Sequence, residues 1–137
     1  MTDMSQDTIP TISPVLFYED LATASDWLCQ AFGFAERTAE RVTVEDGKVV
    51  HAELSLGDGM VILSAPYDDF RIPARDSSHH QCLYVSVEDA AAHKAQTIAT
   101  GAELVSDLRD TDYGAKVCAA TDLAGYHWIF AETLSHS

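Results

Sequence analysis

The chain repeats itself once. PVLFYEDLATASDWLCQAFGF, beginning at Pro14, and CLYVSVEDAAAHKAQTIATGA, beginning at Cys82, run in the same order: an apolar strand-like stretch, Glu-Asp, a helix-like stretch, a glycine. Glu88-Asp89 follows Glu19-Asp20 by 69 residues, and Gly101 follows Gly33 by 68. Beyond the glycines, KVVHAELSLGDGMVIL is matched by KVCAATDLAGYHWIF, with Lys48 and Lys116 again 68 apart. A period of half the chain describes a duplicated module rather than a solenoid, so the fold must be one that the same elements build twice.

Each module reads as β-α-β-β-β. In the first, residues 11–18 form a strand and Asp20 is placed to cap the helix that follows. Leu21, Ala24, Leu28 and Phe32 recur at helical spacing and Gly33 stops the helix. Residues 34–43 are expected as a second strand, 45–47 as a turn, 49–56 as a third strand, and Gly57-Asp58-Gly59 as the turn into a fourth strand over 60–64. The second module gives strands over 81–87, 103–108, 116–121 and 126–132, with a helix over 89–100. The expected organisation is a polar N-terminal arm (1–10) and one domain (11–137) of two modules, 11–65 and 80–132. A polar linker, 66–79, joins them.

Composition narrows the function classes. At 137 residues the chain is long enough to bury a core without staples, and 47% apolar content excludes a disordered chain. Eight basic residues against 22 acidic ones leave a formal charge of -14, which repels nucleic acid and anionic membranes. The same field attracts cationic small molecules. No apolar run approaches the roughly 18–20 residues of a membrane span, and MTDMSQDTIP lacks the features of a signal peptide. Cys29, Cys82 and Cys118, odd in number and without C-x-x-C spacing, form neither a disulfide framework nor a zinc knuckle, so a cytoplasmic location is expected. Cys82 and Cys118 are candidate nucleophiles by placement, but buried cysteines are usually inert packing.

VVHAELSL, Val49–Leu56, carries the most chemistry. Strand alternation puts Val50, Ala52, Leu54 and Leu56 on one face and His51, Glu53 and Ser55 on the other. An imidazole and a carboxylate projecting together suit metal ligation or proton transfer, and equally a polar grip on a ligand.

The ordered set of Glu19-Asp20, AFGF at 31–34, HAEL at 51–54 with Gly57, Glu88-Asp89 and TDLAGYHWIF at 121–130 resembles the vicinal oxygen chelate superfamily. That family holds glyoxalases, bleomycin-resistance proteins and extradiol dioxygenases, and the bleomycin-resistance/PhnB-like branch is the most similar. The resemblance covers nearly the whole chain outside the arm. It implies an α+β fold in which two tandem βαβββ modules form a curled mixed sheet, the glyoxalase/bleomycin-resistance fold. Helices pack on the outer face, and the ligand sits in the cup, often at a homodimer interface. Parity then turns Ser13, Val15, Phe17, His51, Glu53 and Ser55 toward the cup, with Met60, Ile62 and Ser64 beside them. In the second module Cys82, Tyr84, Ser86, His127, Ile129 and Ala131 turn the same way. Trp128 and Phe130 become core residues beneath the helix.

Metal-dependent relatives place His, Gln or Glu ligands on the first and last strands of each module. Those positions fall here on Ser13, Ile62, Cys82 and Ile129, which make no conventional ligand set. The resemblance therefore implies a metal-free, cofactor-free binder of a small organic molecule, planar or cationic, such as a drug or toxic metabolite. Its ligand contacts are Phe17, His51, Glu53, Tyr84, Ser86 and His127, with no catalytic residue assigned. A rival reading makes the protein a metal-dependent glyoxalase-like lyase, isomerase or dioxygenase. There His51 and Glu53 are two ligands of a facial triad, and His79, His80 or His127 is the third.

Overall fold

Both helices begin at the aspartates that the repeat singles out. The computed structural model describes residues 10–66 and 82–134, which fall in two units, Met1–Ile72 and Pro73–Ser137. The expected linker beyond Pro66, the start of the strand at Gln81, and His79 and His80 lie outside the described residues, as does nearly all of the expected arm.

In the first unit, helix α1 (Leu21–Phe32) starts where Asp20, in extended backbone, accepts a hydrogen bond from Thr23 N at 3.1 Å. It ends at Gly33, whose φ of 86° is left-handed and whose N–H donates to Cys29 O at 3.2 Å. Around it lie β1 (Val15–Phe17), β2 (Ala35–Glu36), β3 (Val42–Thr43), β4 (Val49–Leu56) and β5 (Gly59–Ser64). They form a mixed sheet ordered β1-β5-β4-β2, with β3 also paired to β4; β1 runs parallel to β5 and the other pairs are antiparallel. α1 packs on β4 and β5. Leu28 from the helix and Ala52, Leu54 and Leu63 from the sheet are fully buried there, each leucine contributing roughly 1.5–3 kcal/mol. The alternation of β4 thus spends its apolar residues on the helix and leaves His51, Glu53 and Ser55 on the helix-free face.

Two strands differ from expectation. The ladder of β1 begins only at Val15, because Pro14 has no N–H to give; its carbonyl instead accepts from Ile62 N at 2.9 Å. The stretch 34–43 is not one strand but β2, a 3-10 turn over Thr38–Glu40, and β3. Glu36 causes the break. Its carboxylate accepts from Ser25 Oγ of α1 at 2.7 Å and from Arg41 Nε and Nη2 at 2.7 and 2.6 Å. A continuous strand would hold residues five apart about 16–17 Å from each other, so this forked pair requires the chain to fold back.

The second unit places β6 (Leu83–Ser86), helix α2 (Ala90–Ala99), β7 (Glu103–Asp110), β8 (Ala115–Thr121) and β9 (His127–Thr133) in a sheet ordered β6-β9-β8-β7. β6 runs parallel to β9, as β1 does to β5, and the other pairs are antiparallel. Asp89 caps α2 by accepting from Ala92 N at 3.0 Å, and Glu132 of β9 accepts from Ala90 N at 2.9 Å. Trp128 and Phe130 are fully buried on the side where α2 packs, and His93 of that helix stacks on Phe130 with centroids 4.0 Å apart. Trp128 is a core residue, as its parity requires.

The TDLAGYHW stretch is a turn organised by one side chain. Asp122 is buried; Oδ1 accepts from Ala124 N (2.9 Å) and Tyr126 N (3.1 Å), and Oδ2 accepts from Trp128 Nε1 (3.1 Å). The same carboxylate shapes the turn and satisfies the buried indole. Among the described residues no helix is long and apolar enough to cross a membrane.

Candidate functional site

The helix-free face of the first sheet follows from its register. His51 lies opposite Ser64, which lies opposite Phe17; Glu53 lies opposite Ile62, which lies opposite Val15. His51 Nε2 is 2.9 Å from Glu53 Oε2, and Arg37 Nη1 is 3.0 Å from Glu53 Oε1. The three side chains form a chain of contacts through one carboxylate. Arg37 is delivered by the residues after β2: Ala35 opposes Ser55, Glu36 opposes Leu54, and Arg37 N donates to Glu53 O at 2.8 Å. Arg37 Nη1 also lies 3.3 Å from Met60 Sδ, which pins the guanidinium along the sheet. The Glu53 side chain is 14% exposed, Arg37 22% and His51 36%, so the imidazole is the most accessible of the three.

Sequence parity finds His51 and Glu53 but not Arg37. The signal present in the chain was a strand after Gly33 that must pair with β4; alternation alone does not supply its register, which is what sets Arg37 across from Glu53. Phe17 sits on the same face two strands from His51, buried.

In the second unit, Tyr84 opposes Ile129 and Ser86 opposes Ala131, while His127 opposes Thr121. Tyr84, Ser86 and His127 are all exposed. Tyr84 is hydrogen-bonded to Tyr113, a residue of the turn before β8 that sequence reading did not single out. Desolvation and then this hydrogen bond hold the Tyr84 phenol above its ordinary range. Next to these residues Ala115, Val117 and Ala131 form a small buried apolar cluster with Ile129 against it.

The donor set does not fit a metal of the kind bound by metal-dependent relatives. Ile62 and Ile129 are aliphatic, and Ser13 offers a neutral hydroxyl that is buried with no hydrogen-bond partner among the described residues. Each oxygen of Glu53 already has a protein partner. Among the described residues no three His, Cys, Asp or Glu side chains are grouped to hold a metal ion. Cys118 is buried and Cys82 exposed, and all three cysteines are free. Burial raises the Cys29 and Cys118 thiols above their usual range, which works against thiolate chemistry at either.

Comparison with known proteins agrees with this architecture. A family model of the Glyoxalase/Bleomycin resistance protein/Dioxygenase superfamily matches residues 9–130. An uncharacterized protein of Mycobacterium bovis is 28% identical over 134 residues, covering 94% of this chain and 87% of the relative. The crystal structure of TioX from Micromonospora sp. ML1 superposes with a TM-score of 0.72 at 26% identity, covering 93% of this chain and 99% of that one. A glyoxalase/bleomycin resistance protein/dioxygenase family enzyme from Burkholderia phytofirmans PsJN has a TM-score of 0.69 at 18% identity, covering 88% and 95%, a likeness of fold. The chain belongs to the glyoxalase/bleomycin resistance protein/dioxygenase superfamily.

Proposed function

We propose, with membership of this superfamily as the premise, that the protein binds a small organic molecule without metal or other cofactor, sequestering it as a bleomycin-resistance-type protein does. The observation that carries this reading is the Arg37–Glu53–His51 chain on the helix-free face of the first sheet. It concentrates polar and charged groups on a face bordered by Ile62 and Phe17, the mixture that small-molecule sites use. Sequestration asks for affinity alone, with no chemical step. The net charge of -14 favours encounter with cationic compounds.

The metal-dependent alternative requires a cation to replace the direct contact between His51 Nε2 and Glu53 Oε2, beside a guanidinium already on the same carboxylate, and it is not adopted. Tyr84, Ser86 and His127 are proposed ligand contacts on the second sheet, to be tested there separately. The working form is proposed to be a cytoplasmic homodimer, a reading supported by the free cysteines and by the habit of the family.

Calorimetric titration of planar and cationic drugs, glycopeptides included, tests the proposal. At least one compound is expected to bind saturably, with affinity about tenfold or more weaker in Glu53→Ala, a loss of about 1.4 kcal/mol. No saturable binding across the panel sinks it. So does stoichiometric Fe, Mn, Ni or Zn in protein purified without chelator, if that metal is lost in His51→Ala.

A further inference from the structure

We infer that His51 reads a hydrogen-bond donor on the ligand through Nδ1, so that the ligand class is one presenting an O–H or N–H next to an apolar group. This deepens the binding reading above and rests on it. Glu53 is the residue that sequence parity would assign to a ligand donor, yet its Oε1 meets Arg37 at 3.0 Å and its Oε2 meets His51 at 2.9 Å. It is also the least exposed of the three side chains. The donor-reading role therefore passes outward to the imidazole.

The tautomer follows from the partner. A carboxylate paired with a guanidinium offers acceptors only, so the imidazole nitrogen facing it must carry the proton. In neutral His51 the Nε2–H donates to Glu53, and Nδ1 keeps its lone pair. A group making a second bond to this ring must then supply a hydrogen. Glu53 acts here as a positioning residue, since it sets which nitrogen is the acceptor. Arg37 acts one step further back, holding Glu53 by both its guanidinium and its backbone N–H. Ile62, opposite Glu53 on the same face, supplies the apolar neighbour that a ring would cover.

The geometry separates two otherwise similar compounds. A phenol has the required hydrogen; its methyl ether has the same ring and none. The two probes differ at Nδ1 only in whether a hydrogen is supplied, so a difference between them reports that bond.

The test uses the full chain labelled with 15N at histidine, with the His51 signals assigned by their loss in His51→Asn. Wild type is expected to show the Nε2–H tautomer at His51, and this preference is expected to vanish in Glu53→Leu and weaken in Arg37→Met. Addition of 6-hydroxyquinoline should move the Nδ1 resonance in the direction of an accepted hydrogen bond. 6-Methoxyquinoline at the same concentration should leave it in place, with calorimetric affinity at least tenfold weaker. An Nδ1–H tautomer in wild type overturns the inference. An equal response to the ether also overturns it, as does a silent Nδ1 at millimolar phenol. Saturable heat from the phenol with a silent Nδ1 removes this inference while leaving the binding reading intact; absence of binding by these probes and by the whole drug panel removes both.

Discussion

The helix-free faces of the two sheets descend from one repeated pattern but carry different chemistry. At the common spacing of 68, His51 and Glu53 of β4 correspond to Ala119 and Thr121 of β8. In the first unit that face holds a charged chain, Arg37–Glu53–His51. In the second it holds Ala115, Val117, Ala131 and Ile129, with the hydrogen-bonded Tyr84 and Tyr113. Charged groups of the second unit serve the fold instead: Asp89 and Glu132 cap α2, Lys94 pairs with Asp107, and Asp122 holds the β8–β9 turn. What stays constant between the units is the backbone hydrogen bonding that any such module needs. What differs is the face on which no helix packs, where side chains are free to specialise. The first unit thus carries its ion pairs on the helix-free face, whereas the second carries apolar side chains and phenols there.

The largest expected effect probes that contrast at the turns. Asp122→Ala removes the acceptor of two backbone N–H groups and of the buried Trp128 indole, and should cost about 2–4 kcal/mol in urea unfolding. A cost below about 1 kcal/mol would break the claim that this carboxylate is architectural. Next comes the Glu36 fork in the first unit. Glu36→Ala strands the buried Ser25 hydroxyl and one guanidinium, for about 1–2 kcal/mol.

That contribution has a definite pH dependence. The hydrogen bonds from Arg41, and less strongly that from Ser25, hold the Glu36 carboxyl below its ordinary value despite burial. A folded-state value lower than the unfolded one means that the stabilisation is complete above the ordinary glutamate range and is lost as pH falls through the folded value. The gap between wild type and Glu36→Ala should accordingly close in acid; a gap that persists there would assign the effect to packing.

Smaller still is a matched pair at the helix ends. Gly33 and Gly101 have φ of 86° and 94° with open space where a Cβ would stand, so Ala at either should cost about 1 kcal/mol through backbone strain alone. Equal losses in thermal or urea unfolding sharpen the view that the repeat conserves its stops; a loss at one glycine only would break it. The smallest effect belongs to Asp58, in the turn between β4 and β5 of the first unit. It is exposed beside Gly57, whose φ of 60° lets the chain reverse, and Asp58→Ala should stay within about 0.5 kcal/mol.

Much of this was legible in the chain because it depends on local periodicity. Helix caps at Asp20 and Asp89, the stop at Gly33, the alternation of Val49–Leu56 and the burial of Trp128 each follow from spacing of two or 3.6 residues. The break in 34–43 was not legible, because it is produced by a side chain, Glu36, finding Ser25 eleven residues earlier and Arg41 five later. His93 stacking on Phe130 was hidden for the same reason, the two being 37 positions apart and joined only by packing of α2 on β9.

The sequence by itself determined the duplicated α+β plan, its caps and stops, and which faces of its strands are apolar. These are consequences of residue type and period, and they hold before any two distant segments meet. Only the tertiary structure decided what His51 and Glu53 are paired with. Parity says which way a side chain points, whereas the register between strands says what it finds there. Here that register brought Arg37 to Glu53, gave both carboxylate oxygens protein partners, and left the imidazole as the most exposed member of the group.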